Sequence, residues 1–361
     1  MASIVPDRLR NIVLLSHGGA GKTILAESML HACKVTSRLG TIEDGTTVSD
    51  FEPEETRRQS SIQSAVLPCP WRQHKINVID TPGYADFRGD AMSGISVADG
   101  ALFVIAAPSG VEVGTKQMWR LAEERRLPRM AFISKMDREN ADFGRAMESL
   151  TEAFGRHCVA LNIPVGAEED ISGTVSLMGP SDDVPESLQS EYEAGRERLI
   201  EAVAETDDDL ATKYLEGEEI GQDDLAVGLR KAVAAGTLVP VLVGAPASGV
   251  GIEALMDALV DFMPAANDVG PAKAQDGASD SANEVELAPG PEGPLAAFVF
   301  KTAADPFVGK LSYFRVYSGT FKSDSQVWNA NKGEAERVGQ LYEVRGKAQD
   351  GVAELVAGDI G

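Results

Sequence analysis

The string Ser16-His17-Gly18-Gly19-Ala20-Gly21-Lys22-Thr23 constrains this chain more than any other, because it joins an apolar run, RNIVLL at residues 10–15, directly to a helical pattern. A strand that turns through glycines into a helix lets other groups come close to its backbone. Its N–H groups can then surround a phosphate, while the helix N-terminus adds partial positive charge. In such a loop Lys22 meets the β and γ oxygens of a nucleotide, and the Thr23 hydroxyl is offered to a Mg²⁺ ion bridging the same phosphates. Ser16 stands where the general pattern has its first glycine, so a ligand-free strand-to-helix turn is the competing reading of this string taken alone.

A loop of this kind sits in an α/β sheet, and the remaining patterns supply one. Apolar runs rich in Val and Ile recur at residues 11–15, 76–79, 101–107, 130–133 and 239–243 and read as buried parallel strands. Between them, Leu25, Met29 and Cys33 share one helical face, and residues 114–126 and 252–262 read likewise. The expected fold class is therefore α/β, a P-loop NTPase with a doubly wound, mostly parallel sheet whose ligand lies at the carboxyl ends of the strands. The stretch from Asp137 to Gly244 exceeds one strand and one helix and holds a helical pattern at 188–204. An inserted α/β subdomain of about residues 160–238 is thus expected within a domain spanning 1–264. Residues 265–293, rich in Ala, Gly, Pro, Asp and Ser, read as a flexible linker. From 294 to 361 the period changes. Residues 296–301, 310–317 and 337–344 alternate or run apolar between glycine-containing turns, as at the start of a β-barrel domain.

Composition narrows the function classes. With 43% hydrophobic and 25% charged residues among 361, the chain reads as globular and large enough for about two domains. Residues 101–108, the longest apolar stretch, fall short of a bilayer span, and the N-terminus lacks the basic-then-apolar order of a secretory signal. Cys33, Cys69 and Cys158 are spaced as neither a disulfide framework nor a metal knuckle. These features point to a cytoplasmic protein without a membrane partner. A formal charge of −23 repels nucleic-acid backbones, and no Lys/Arg run offsets it. The acidic run Asp207, Asp208 and Asp209 reads as a solvated helix start. His31, His74 and His157 lack ligand-like partners, and Trp71, Trp119 and Trp328 read as packing residues.

Two further motifs follow the phosphate loop at successive strand ends. After KINVI comes DTPGYADF, residues 80–87, in which Asp80 holds Mg²⁺ through water and the Gly83 N–H reaches the γ-phosphate. Thr81, Pro82 and Tyr84 complete that segment. The run RMAFI ends in Ser134, Lys135, Met136 and Asp137. There the Asp137 carboxylate accepts from the N1–H and exocyclic amine of guanine, a pair adenine does not offer, and the Lys135 stem covers the base. Any one of these strings is weak; three in order are strong and imply GTP or GDP with Mg²⁺.

These segments resemble the elongation factor G family of translational GTPases over nearly the whole chain. The likeness extends to LIEAVAETDDDLATKYLEGEE at residues 199–219, within the insertion peculiar to that factor, and to FKTAADPFVGKLSYFRVYSG at residues 300–319. The resemblance implies a monomeric GTPase that acts on the ribosome in translocation or recycling. It also implies that Ser61 matches a switch threonine that reaches Mg²⁺. Departures are specific. Gly19 replaces an aspartate of the family's loop, and Ser134 replaces an asparagine. Tyr84 replaces the histidine that orients the attacking water, which makes Tyr84 a catalytic candidate beside Lys22 and Gly83. Gly244, Ala245 and Pro246 align with Gly-Ser-Ala; Pro246 has no N–H for guanine O6, so Ala245 or Ala247 is expected to substitute. Together they suggest an elongation factor G-like paralogue of the elongation factor G2 type, N-terminal part, lacking the last three domains of the family. The alternative is a GTP/GDP switch with little hydrolysis.

Overall fold

The protein is described from a computed structural model covering residues 4–180, 184–275, 283–305 and 309–361. Seven strands form the central sheet: β1 (Leu9–Leu15), β2 (Ala65–Trp71), β3 (His74–Asp80), β4 (Gly100–Ala106), β5 (Arg129–Ser134), β6 (Cys158–Ala160) and β9 (Val239–Val243), in the order β2-β3-β1-β4-β5-β9-β6. All neighbours run parallel except β2 and β3. Every residue of β1, β4, β5 and β9 is buried, as expected of strands covered on both faces. One face packs against α1 (Lys22–Ala32) and α9 (Ile252–Phe262), with Leu25, Met29, Leu255 and Leu259 fully buried. The other packs against α3 (Arg88–Val97), α4 (Val113–Glu124) and α5 (Phe143–Phe154), where Trp119 stacks on Phe154 at 3.8 Å. A short helix, α2 (Pro53–Arg58), precedes β2.

Register then places the chemistry. Leu14 pairs with Asp80 and Ile133 with Val243, so the carboxyl ends of β1, β3, β5 and β9 lie side by side. Beyond β6 the chain makes the hairpin β7 (Asn162–Val165) and β8 (Gly173–Ser176), then α6 (Gln189–Ala204), α7 (Asp208–Leu215) and α8 (Gln222–Ala235), before returning to β9. Asp207 caps α7 by accepting from the N–H groups of Asp209 and Leu210, so the acidic run is a helix start.

Within residues 265–293 the structure has more order than a featureless linker: β10 (Ala272–Gln275) and β11 (Glu284–Leu287) pair as an antiparallel hairpin, and Ala266 is buried, donating its N–H to Leu9 O at 3.2 Å. The last region contains β12 (Ala296–Asp305), β13 (Gly309–Ser318), β14 (Thr320–Lys322), β15 (Gln326–Asn329), β16 (Glu334–Arg337), β17 (Leu341–Arg345), β18 (Ala348–Val352) and β19 (Glu354–Val356) in antiparallel pairs. The single strand expected over 337–344 is two: Arg337 ends β16 and Leu341 opens β17. The Val338 N–H extends the pairing with β15 by donating to Ser325 O at 2.9 Å, and beyond it the chain turns to pair with β18 instead.

Buried polar contacts join this region to the amino ends of the sheet strands. Lys75 Nζ donates to both Asp359 oxygens at 2.9 Å and also meets Glu343. Arg315 pairs with Asp99 at 2.6 Å, and Asn11 Nδ2 bridges Asp99 Oδ2 and Gly358 O at 2.7 and 2.8 Å. Among the described residues no helix is long and apolar enough to cross a membrane.

Candidate functional site

The loop between β1 and α1 turns through Gly21, whose φ of +101° disfavours a side chain at the residue that caps α1. Lys22, the first helical residue, is buried and points back into the turn, donating to Ser16 Oγ at 3.0 Å and His17 O at 3.3 Å. The segment after β3 passes directly over this loop. A Cβ on Gly83 would fall 2.6 Å from Lys22 Nζ and 2.7 Å from the Gly18 nitrogen, so only glycine permits the approach. Thr81 anchors the same segment by donating its hydroxyl to Leu14 O at 2.6 Å, and buried Pro82 continues it.

Thr23, Ser61 and Asp80 converge although they come from three separate parts of the chain. Thr23 Oγ1 donates to Asp80 Oδ2 at 2.9 Å and lies 3.1 Å from Ser61 Oγ. Asp80 Oδ1 is buried and has no hydrogen-bond partner. A residue that sequence reasoning did not single out joins them. Asp50 is buried, both of its carboxylate oxygens lack partners, and it faces Asp80, Ser61 and Lys22. Nothing in its surroundings could have marked it, since the loop 41–50 has neither apolar period nor motif.

Burial dominates the electrostatics. It pushes the Asp80 carboxyl up to about 6 against the pull of Lys22 and Thr23. Burial and then the charge of Asp80 push Asp50 up to about 7. Lys22 is brought down to about 8 by burial, despite both carboxylates. Burial drives each group toward its neutral form.

On the base side, Ser134 Oγ shares its proton between Ala20 O at 2.7 Å and Ile105 O at 3.2 Å. Lys135 takes a left-handed φ of +61° and extends Nζ to Gly19 O at 2.6 Å, so its stem runs across the loop mouth. Met136 is buried beneath, its N–H directed to Gly244 O at 3.4 Å. Asp137 remains 24% exposed, with Arg138 Nε 3.9 Å away. Of the two residues expected to serve guanine O6, Ala245 is buried in the turn after β9. Its N–H donates to Val250 O at 3.0 Å, closing a tight bridge after β9, whereas Ala247 is exposed.

Tyr84 lies 52% exposed at the mouth, its ring resting on Gly18, where a Cβ would meet ring carbons at 3.2 Å. The His17 N–H is held by Thr115 Oγ1 at 3.1 Å from α4, a partner the sequence did not indicate.

The donor set suits Mg²⁺. It consists of two hydroxyls and two carboxylates, all hard oxygen ligands, and three buried carboxylate oxygens are without partners. No cluster of three His, Cys, Asp or Glu among the described residues could hold a metal by itself.

A family model described as the elongation factor Tu GTP binding domain matches residues 7–265, and one described as elongation factor G domain 2 matches residues 294–361. Among solved structures, the chain is similar to the crystal structure of ttk003000868 from Thermus thermophilus. The two are 29% identical, with a TM-score of 0.84 over 98% of this chain and 52% of the other. The chain thus spans about half the length of that protein.

Proposed function

The chain belongs to the elongation factor Tu GTP-binding-domain family, in the elongation factor G branch of translational GTPases, and from that premise we propose that it binds GTP with Mg²⁺ and hydrolyses it on the ribosome as part of a translation factor. The observation that carries this reading is the convergence of Thr23, Ser61 and Asp80 beside buried Lys22, at the point where β1 and β3 end together.

Mg²⁺, when bound, neutralises charge on the phosphate oxygens. The other work belongs to the chain. Lys22 brings positive charge into a site drained of water, where it counts for more than at the surface. Gly83 brings its amide over the loop, Asp137 chooses guanine by accepting from two donors, and Lys135 covers the base while steadying Gly19. Tyr84 offers a hydroxyl at the mouth for the attacking water. Ala247, exposed in the turn after β9, is the residue we assign to guanine O6.

The test is Mg²⁺-dependent binding of GTP against ATP by the purified chain, followed by turnover with and without ribosomes. Equal affinity for the two nucleotides, or turnover unaffected by ribosomes, would overturn the reading at the corresponding step.

A further inference from the structure

Glu27 lies in the second turn of α1, on the helix that begins with Lys22 and Thr23, and it is buried to 1% exposure. Among the described residues it has no ion-pair partner, and its Oε2 is unpaired. A buried carboxylate without a cation is costly, so its hydrogen bonds have to account for it. They are specific. Oε1 accepts the backbone N–H of Val48 at 2.7 Å and that of Ser49 at 3.3 Å. The next residue is Asp50, buried and within electrostatic reach of Asp80 and Lys22. The loop carrying Asp50 has no strand or helix of its own between residues 41 and 50, so these two bonds are its link to the phosphate-loop helix. From outside, the turn between β17 and β18 passes closely over the Val48 carbonyl at Gly346.

We propose that Glu27 is a positioning residue: by holding the amides of Val48 and Ser49 it sets the Asp50 carboxylate beside Asp80 and so completes the Mg²⁺ surroundings. This rests on the nucleotide and Mg²⁺ reading above. The role needs one acceptor oxygen at the right reach and does not need the charge. Reach and charge therefore separate cleanly in two variants, Glu27→Asp keeping the charge and losing a methylene, Glu27→Gln keeping the reach and losing the charge.

The experiment measures the affinity of a fluorescent GDP analogue across a Mg²⁺ titration and again in chelator, with folding of each variant checked by circular dichroism. For E27D we expect the Mg²⁺ concentration giving half-maximal tightening to rise about tenfold, the lower end of the usual loss when a group supporting a metal site is displaced. E27Q should stay within about threefold of the parent, and the chelator affinities of both should be unchanged. An unshifted Mg²⁺ dependence in E27D would overturn the proposal. So would a loss of equal size in chelator, which marks a general structural role, or a loss in E27Q matching that in E27D, which marks a role for charge. If the parent chain itself binds GDP without regard to Mg²⁺, the functional reading fails first, and the result is distinguishable from failure of Glu27 alone.

Discussion

Lys135 Nζ donates to Gly19 O at 2.6 Å, fastening the base-reading loop after β5 to the phosphate loop after β1. Ser134 makes a second fastening through Ala20 O. The loops after β1 and β5 are thereby tied to each other at two points. This explains how a serine can occupy a position where the family has asparagine: its shorter side chain still reaches the loop carbonyl.

Asp137 should decide which base the site accepts. Replacement by Asn exchanges an acceptor for a donor, so we expect GTP affinity to fall by about 10- to 100-fold while xanthosine triphosphate binds better than in the parent, consistent with roughly 1–3 kcal/mol for a buried polar group left unpaired. Competition binding with the two nucleotides checks it; an unchanged preference for GTP would remove Asp137 from the base contact.

Lys22 donates only to Ser16 and to His17 O, contacts a phosphate can replace. Lys22→Ala should weaken GTP and GDP by about tenfold or more, in line with ~1.5–3 kcal/mol for hydrogen bonds to a charged group, without lowering thermal stability. Calorimetric titration gives the first quantity and a melting curve the second.

Tyr84 packs its ring on Gly18 and stays half exposed. Tyr84→His shortens the reach and introduces a group that titrates near neutrality, so ribosome-stimulated turnover should rise by roughly tenfold or more if water positioning limits the rate. Single-turnover GTP hydrolysis measures it. An unaltered rate would place the limit elsewhere.

Asp50, at about 7, and Asp80, at about 6, are both raised from the usual 3.8. Folding without metal therefore takes up protons, and these groups lower stability as pH climbs from about 4 through 7. Mg²⁺ and nucleotide displace the same protons, so Mg²⁺-dependent affinity should strengthen as pH rises from about 5.5 to 7.5, with proton release on binding. Titration calorimetry in buffers of different ionisation enthalpy reads that release directly. A pH-independent affinity would mean that neither carboxylate meets the metal.

Arg315 and Asp99 are almost wholly buried as a pair. Asp99→Ala leaves an uncompensated guanidinium inside and should cost about 3–5 kcal/mol, most of it recovered when Arg315→Met is added. Urea unfolding of the single and double variants checks both.

Residues whose local pattern also dictates their neighbours were legible in the sequence. The apolar runs around Val13, Val78, Ile105, Ile133 and Val241 are strands because both faces of the sheet are covered, and a glycine-rich turn after the first leaves few other folds. β2 was hidden by Pro68 and Pro70, which an edge strand tolerates because only one side of it carries a ladder. β6 was too short to show a period. In the site, Asp80 and Thr23 announced themselves through motifs. Asp50 and Glu27 did not, since the bonds from Glu27 to the amides of Val48 and Ser49 join α1 to an irregular loop and depend on where the chain folds back. The direction of the Ala245 amide, inward to Val250 O, is set by the turn after β9 and has no signal in the sequence.

The contacts of Lys75 with Asp359 and of Arg315 with Asp99 carry one more implication, for leverage. With charges sealed into that seam, the carboxy-terminal β-strand region has no inexpensive way to swivel on the sheet. A load applied to its far side is carried through these ion pairs to the amino ends of the strands, and at Gly346 the same region bears directly on Val48 in the loop before Asp50.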